Sequence, residues 1–375
     1  MAGTGDDEAV EVEEGGAPPA AAPREFGPAR AADGALGLSA LVGHAVARRL
    51  LSERLRSGTL PHALLLVGPR GVGKRTLAQA LVAEHFCAER RGCGKCAACG
   101  ALRRGNHPGF VTVAPPEGKS AIPIDAIQAL GREISLRPAD ERGRVALIRG
   151  ADRMTPAAQD ALLKTLEEPP PANVLVLTAV RPDAVLATIR SRCQRHALAP
   201  LTDAELGEVA RRLGLAPAVP LSVARGCPGQ LAHLSDERCG RLREGAVRLL
   251  AAPRGREDLA RVVALLHSTL PKEAEPAQVR AAAHELLALL ASLVRDLVVL
   301  RASGAADRVR NSDHLDRLSA LAGRAEWADA FGALRRLARA RDLVDGNVDP
   351  ASALLSLFRP GTEDVARDEG LGAGA

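Results

Sequence analysis

Aromatic side chains are scarce in this sequence: they make up 2% of 375 residues, with no tyrosine and one tryptophan. Proteins that bind single-stranded nucleic acid commonly stack the bases on aromatic rings. The scarcity therefore argues against a base-stacking protein. The formal net charge of +5 reflects either a genome that prefers arginine to lysine or contact with DNA. Any such contact would fall mainly on phosphates and would weaken with salt.

Long apolar runs are also missing, since none reaches the roughly 18 residues that a membrane helix needs. The N-terminal region does not resemble a secretory signal, because six acids precede the first base, Arg24, and no apolar stretch follows. We therefore expect a cytoplasmic protein that makes no contact with a membrane. Four of the seven cysteines cluster between residues 87 and 99. In a cytosolic protein such clustering indicates a metal before it indicates disulfides.

The length leaves room for two or three domains. Between residues 38 and 200, short continuous apolar runs alternate with helical patterns, which predicts strands buried on both faces of a parallel, doubly wound sheet. The predicted strands are 62–68, 110–115, 144–148 and 173–180. The expected fold is therefore an α/β domain followed by helical domains.

Composition divides the rest of the chain. Residues 1–37 and 361–375 are rich in alanine and glycine, and we expect both ends to be disordered. Residues 201–245 predict a small helical domain that begins with a capping box, with Thr202 as the N-cap and Glu205 three positions on. Residues 246–360 predict an all-helical C-terminal domain.

The stretch "LLLVGPRGVGKRTLAQALVAEHF" predicts a strand, a glycine-rich loop and a helix. Gly68, Gly71 and Gly73 let the backbone turn tightly and point several N–H groups at a phosphate, while the helix adds its positive end. Lys74 would reach the outer phosphates of a nucleotide. This order of elements favours a phosphate-binding loop over a chance glycine-rich turn.

Hydrolysis of the nucleotide is a separate question. The hydroxyl that holds Mg²⁺ normally follows the lysine, but Arg75 stands there, and Thr76 lies about 100° further around the helix. The strand at 144–148 is followed by Arg149, where an active enzyme carries an acid. Asp152 is the nearest acid, and in an extended chain it would lie about 10 Å beyond. We expect ATP or ADP binding to be compatible with this loop and metal-assisted hydrolysis to be impaired.

The cysteines follow the pattern Cys87-x5-Cys93-x2-Cys96-x2-Cys99. Four thiolates close a tetrahedral zinc site without an open position, which predicts a structural metal. Free buried thiols and a redox CxxC pair are the alternatives. No catalytic base with suitable spacing accompanies the cluster, so a catalytic metal is not expected.

Several stretches make the chain resemble the clamp-loader family of bacterial DNA polymerase III, which is built on the AAA+ fold. The resemblance covers residues 38–358, with a zinc module just after the loop helix. The matching stretches are "LVGHAVARRLL", the phosphate loop, "HPGF" with Gly109 in place of an acid, "ADRMTPAAQDALLKTLEEPP", "TIRSRCQ", "NSD" and "NVDP". From the residues alone, "MTPAAQDALLKTLEEPP" predicts only an amphipathic helix capped by Thr155 and ended by prolines.

The resemblance assigns a role to Arg192. In this family the arginine of the "SRC" motif reaches ATP bound by a neighbouring subunit, so Arg192 would be an arginine finger in trans, held by Ser191 and Cys193. Active members also carry a sensing arginine in the small helical domain. Gly229 and Gln230 occupy that region here.

These departures resemble the non-hydrolysing members of the family. The implied function is a stator that assembles with ATPase motor subunits and a clamp-opening subunit through its C-terminal collar, and helps load the sliding clamp on primed DNA. The first alternative is an active motor subunit of the same family. The second is a nucleotide kinase or regulatory ATPase with a phosphate loop and a zinc knuckle.

Overall fold

The computed structural model describes residues 34–116, 119–136, 141–215, 220–252, 257–268, 270–271, 273–346 and 348–355. The ends of the chain expected to be disordered lie outside these ranges, apart from residues 34–37. Asn347 of the "NVDP" stretch lies outside them too. None of the helices in the described ranges combines the length and the apolar composition that crossing a membrane requires.

A five-stranded sheet forms the first part of the molecule, with the order β2-β3-β4-β1-β5 and parallel pairing at every interface. The strands are β1 (Ala63–Val67), β2 (Phe110–Val113), β3 (Val145–Arg149), β4 (Val174–Ala179) and β5 (Gln194–Ala197). The first four confirm the predicted strands. β5 was not predicted, because its four residues "QRHA" are polar or exposed and do not form a buried apolar run.

Fourteen helices are described. Their bounds are α1 (Ala45–Ser57), α2 (Lys74–Phe86), α3 (Ala97–Arg103), α4 (Ile124–Ser135), α5 (Pro156–Glu167), α6 (Ala187–Arg192), α7 (Asp203–Arg212), α8 (Pro228–Leu234), α9 (Glu237–Ala251), α10 (Asp258–His267), α11 (Pro276–Ser303), α12 (Leu315–Ala322), α13 (Ala330–Asp345) and α14 (Pro350–Leu355). The predicted caps are confirmed, since Thr155 Oγ1 accepts from the Ala158 amide and Thr202 and Glu205 form both bonds of a capping box.

Side chains alternate between the two faces of the sheet. Along β1, Leu64 and Leu66 face a cluster with α1 and α2, whereas Leu65 and Val67 face a cluster with α4, α5 and α6. The sheet is therefore covered on both sides, which explains its continuous hydrophobic strands. This confirms the expected α/β fold with a parallel sheet and a helical C-terminal part.

Two further hydrophobic clusters follow along the chain, one within residues 201–239 and one within residues 242–354. The expected boundary at 245/246 falls inside α9, which runs unbroken from Glu237 to Ala251. Leu242 already packs in the C-terminal cluster. Helix α9 therefore contributes side chains to both clusters, Cys239 to the first and Leu242 to the second.

The "NSD" stretch joins helices of the C-terminal part. Asp296 of α11 has no exposed surface and accepts hydrogen bonds from the backbone and side-chain nitrogens of Asn311, at 2.9 and 2.7 Å. Arg243 of α9, 4% exposed, donates to Asp313 at 2.6 Å and to Asn311 at 3.0 Å. Asp296 and Asn311 therefore satisfy each other's buried polar groups, whereas the buried Nε of Arg243 has no hydrogen-bond partner among the described residues.

Residues 34–37, assigned from composition to the disordered extension, contact the cysteine loop. The Leu36 amide donates to the Gly92 carbonyl at 2.7 Å, and the Leu36 side chain is 4% exposed. The backbone of Gly34 lies so close to Gly94 that a Cβ on Gly94 would sit 2.1 Å from its carbonyl oxygen.

Candidate functional site

The glycine-rich loop lies between β1 and α2, as predicted. Gly68, Gly71 and Gly73 have φ angles of 156°, 80° and 111°. The left-handed angles at the last two positions favour glycine over residues with a side chain. A Cβ on Gly68 would also lie 2.6 Å from the Leu198 carbonyl oxygen. The loop has the backbone of a phosphate-binding turn that opens into a helix.

Lys74 is the first residue of α2, and its ammonium turns back over the loop. The Nζ donates to the carbonyls of Gly68 at 2.6 Å and Pro69 at 2.8 Å. Burial lowers the pKa of Lys74, while the negative charge of Asp152 acts in the opposite direction. An incoming phosphate would have to compete with these two carbonyls for the ammonium.

No hydroxyl directly follows the lysine, and no carboxylate ends β3. Arg75 and Thr76 occupy the next two positions of α2, and Arg149 is the last residue of β3. Arginine has no acceptor for a metal ion and stays charged. Two of the groups that hold Mg²⁺ in loop NTPases are therefore replaced at this site.

Asp152 does not lie at the end of an extended segment, and this corrects the geometry assumed from the sequence. Gly150, with a φ of 84°, turns the chain directly after β3 into a short 3-10 helix, Ala151–Arg153. The Asp152 Oδ2 atom accepts from the amides of Val180 at 3.2 Å and Arg181 at 3.0 Å. The charge of Asp152 influences Lys74, but one of its oxygens already binds the end of β4.

The N-terminal end of α8 closes against the phosphate loop. The Gly229 amide donates to the Gly71 carbonyl at 2.9 Å. A Cβ added to Gly229 would lie 2.9 Å from the Gly71 Cα, so the two backbones are in contact. The phosphate loop is therefore in contact with backbone at Gly229, the residue before Gln230.

Arg192 is the last residue of α6, and it is 38% exposed. Its guanidinium donates to Glu167 Oε1 at 2.7 Å and to the Thr188 carbonyl at 3.0 Å. Ser191 Oγ donates to the same carbonyl at 3.0 Å. Cys193 is buried, which raises the pKa of its thiol to about 11 and keeps it neutral. In the "SRC" motif, Cys193 is therefore buried, and Arg192 is held by Glu167 and the Thr188 carbonyl.

Strand register separates Arg192 from the chain's own phosphate loop. Gln194, the first residue of β5, pairs with Leu64, and Ala197 pairs with Val67 at the end of β1. Arg192 therefore precedes the amino end of the sheet, and the loop follows the carboxyl end. The three-residue offset alone amounts to about 10 Å along the strand. The structure does not bring Arg192 and Lys74 into one site.

The four clustered cysteines converge as predicted. Their sulfur atoms all lie within 4.8 Å of one another. A tetrahedral zinc ion with Zn–S bonds of about 2.3 Å needs sulfurs roughly 3.8 Å apart, so the cluster fits this ion with little movement. The Cys93 amide donates to Cys87 Sγ at 3.2 Å. Burial raises the pKa of Cys87, but hydrogen bonds from backbone amides outweigh it and lower the pKa to about 6.

Glu167 was not identified from the sequence, and the packing around Gly109 was not predicted from it. Glu167, the partner of Arg192, lies 25 positions away, and only its place in "LLKTLEEPP" marks it. Gly109, in place of an acid, packs against Phe86: a Cβ there would lie 2.8 Å from two ring atoms. The Phe86 ring is 2% exposed and lies 4.2 Å from the His107 ring. A carboxylate at 109 would therefore collide with the core.

The strand order, the loop after β1 and the helical part that follows define a P-loop protein of the AAA+ class. Residues 43–202 match the family described as "DNA polymerase III, delta subunit". The chain is 36% identical over 148 residues to the DNA polymerase III subunit delta′ of Escherichia coli, which covers 39% of this chain and 44% of that relative. With the Pseudomonas aeruginosa subunit delta′ it is 39% identical over 165 residues, or 43% of this chain and 50% of that relative.

Over this segment the chain is therefore similar to delta and delta-prime subunits of DNA polymerase III. The matched segment spans about half the length of these curated relatives, 44% and 50%. The subunit gamma/tau of Mycobacterium tuberculosis is also similar, with 35% identity over 149 residues, 39% of this chain and 26% of that relative.

Two solved structures have a low similarity to the whole chain. A gamma-subunit-related protein from Thermotoga maritima has a TM-score of 0.39 and 16% identity, and covers 82% of this chain and 97% of that one. RuvB from the same organism has a TM-score of 0.41 and 18% identity, over 78% and 90% of the two chains. At these scores neither likeness carries an argument.

Proposed function

We propose that this chain is the delta-prime, or stator, subunit of a bacterial clamp loader, and that it supplies Arg192 to ATP bound by a neighbouring motor subunit. The separation of Arg192 from the chain's own loop carries the proposal. A guanidinium at the amino end of the sheet cannot reach a phosphate at the carboxyl end, whereas it can serve a nucleotide on another chain. Its fixed charge would stabilise negative charge that develops during phosphoryl transfer.

The chain's own loop would not hydrolyse ATP. Arg75 and Arg149 stand where Mg²⁺ ligands are needed, and Gly229 closes on Gly71. A nucleotide bound at Gly68, Gly71, Gly73, Lys74 and Thr76 would serve a structural purpose. The cysteine cluster would hold one structural zinc ion, because the four-sulfur site leaves no position for a substrate.

The proposed partners of this chain follow from its resemblance to the clamp-loader family. The AAA+ part (38–200), the lid (201–245) and the collar (246–360) would place this chain beside motor subunits and a clamp-opening subunit in the cytoplasm. The complex would load the sliding clamp on primed DNA, with phosphate contacts and no membrane involved. The delta-prime relatives named above support this proposal for the AAA+ part.

Reconstitution with motor subunits tests the finger. Arg192→Ala should leave assembly intact and lower the ATPase and clamp-loading rates of the complex. At the one nucleotide site served by this chain, loss of a trans arginine should cost roughly 10³-fold or more. Arg195→Ala, a neighbouring exposed arginine on β5, is the matched control. Unchanged ATPase in an assembled Arg192→Ala complex would overturn the role.

The purified chain alone tests the two alternatives. A motor subunit, favoured by the similarity to gamma/tau, and a kinase or regulatory ATPase would both turn over nucleotide without partners. The stator predicts no steady-state hydrolysis. Turnover that disappears in Lys74→Ala would establish an active loop and contradict the proposal.

A further inference from the structure

The cysteine module carries an excess of positive charge on its surface. Residues 88–104 contain five bases and one acid. The bases are Arg90, Arg91, Lys95, Arg103 and Arg104, and all five are exposed. Arg91 pairs with Glu89, and Arg103 donates to the Gly94 carbonyl. A zinc ion with four thiolates would carry a charge of about −2, which leaves part of this positive charge uncompensated. The five side chains are called the basic face below.

The acidic N-terminal extension, residues 1–33, joins the described part of the chain next to this face. Residues 1–33 contain eight acids and two bases, and six of the acids lie between residues 6 and 14. Directly after it, residues 34–37 are held on the loop 92–94 by the bond from Leu36 to Gly92 and by backbone contact between Gly34 and Gly94. Lys95 is the next residue of the loop. The extension therefore leaves the described structure beside the cations of the module.

The anchor keeps the acids close to the cations. Glu14 lies 20 positions before Gly34. A covalent tether of this length raises the effective concentration of the acids at the module to the order of millimolar. Oppositely charged groups held at that concentration associate at low salt, and the association weakens as the Debye length shrinks.

We propose that the acidic extension, residues 1–33, docks on the basic face of its own cysteine module. The interaction is electrostatic and intramolecular. It shields Arg90, Lys95 and Arg104 from nucleic-acid phosphates, which would otherwise compete for the same cations. This inference does not depend on the stator function or on ATP chemistry.

Carbodiimide cross-linking of the full chain tests the contact, because the reagent joins an amine directly to a carboxylate. The chain has five lysines, and the exposed Lys164 on α5 is an internal control for Lys95. We expect Lys95, and not Lys164, to be joined to acids between residues 6 and 14 at low salt. These links should be lost at high salt. Asp33 is not scored, because it adjoins the anchored Gly34.

Two further experiments identify what binds the basic face. Mixing isotope-labelled and unlabelled chains separates links within one chain from links between two chains. A full-length variant with the six acids between residues 6 and 14 changed to amides should bind a fluorescent single-stranded oligonucleotide more tightly than the wild type. Adding Arg90→Ala, Lys95→Ala and Arg104→Ala to that variant should remove the gain.

Equal cross-linking of Lys95 and Lys164 would overturn the proposal. Links mainly between labelled and unlabelled chains would also overturn it, and would make a second copy the occupant. Oligonucleotide binding that does not change in the six-amide variant would exclude the shielding role. Zinc content measured in each variant verifies that the module is intact.

Discussion

Replacing Glu167 by alanine separates the stability of the Arg192 contact from its function. The pair joins the end of α5 to the end of α6 at 2.7 Å, and its side chains are 51% and 38% exposed. An ion pair this exposed contributes about 0.2–1 kcal/mol to folding. We therefore expect Glu167→Ala to leave the melting temperature of the chain almost unchanged.

The effect on catalysis should be measurable. Without Glu167 the guanidinium keeps the bond to the Thr188 carbonyl. A contact that orients the guanidinium contributes at most its own free energy, about 0.2–1 kcal/mol, or up to roughly fivefold in rate. At the nucleotide site served by this chain, Glu167→Ala should lower the ATPase rate by up to that factor. Arg192→Ala removes the charge itself and should cost far more.

The assay is steady-state ATPase of the reconstituted complex, beside thermal unfolding of the isolated chain. Glu168→Ala is the matched control, since Glu168 is the next residue and is also exposed. The double variant Glu167→Ala/Arg192→Ala should equal Arg192→Ala alone, because Glu167 acts only through the arginine. A further loss in the double variant, or an equal loss in Glu168→Ala, would refute the reasoning.

Three other predictions concern the metal, the core and the collar. Metal analysis should find one zinc per chain, and its removal should increase hydrogen exchange at the Leu36 amide, which is bonded to the cysteine loop. Gly109→Ala should destabilise the chain by about 1–3 kcal/mol, because its Cβ meets the buried Phe86 ring. Asp313→Asn should cost about 3 kcal/mol, since Arg243 is 4% exposed and would lose its counter-charge. Burial raises the pKa of Asp313, but Arg243 outweighs it and holds the pKa below its ordinary value, so this contribution is lost as the pH falls through that lowered pKa.

Each of these has a control. Cys239→Ala, a buried cysteine outside the cluster, should keep the zinc, and a stable metal-free wild type would contradict the metal site. Phe86→Leu should relieve part of the Gly109→Ala penalty, and additive losses would contradict the predicted contact. Asp316→Asn, near the same stretch, should be nearly neutral, and an equal loss there would contradict the importance of the Arg243 pair.

Much of the fold could be predicted because its elements are specified locally. Each of the first four strands is a continuous apolar run, since each is covered on both faces, and Thr155 and Thr202 carry their cap hydrogen bonds within three residues. β5 was not predicted because three of its four residues are polar and two are exposed, whereas β2, the other edge strand, is fully buried. The end of the helical lid stays a prediction, because α9 runs unbroken through it and composition does not mark where one core gives way to the next.

In the candidate site, too, features specified by local sequence could be predicted, whereas long-range contacts could not. The phosphate loop and the cysteine cluster lie within short stretches of sequence, so residue type and spacing were sufficient to place them. The closure of Gly229 on Gly71, the bonds of Asp152 to β4 and the pairing of Arg192 with Glu167 join positions that only the folded chain brings together. No local pattern contains such contacts, and each of them changes how the loop or the finger is interpreted.

The separation of loop and finger follows from parallel pairing. β1 leads into the loop at its carboxyl end, and β5 pairs beside it in the same direction. Any residue just before β5 must therefore lie at the amino end of the sheet, whatever its side chain. If Arg192 acts on a nucleotide, the proposal therefore requires one that is bound by another molecule. Arg75 and Arg149 lie at the opposite end of the sheet, so their replacement of the expected metal ligands has no direct effect on Arg192.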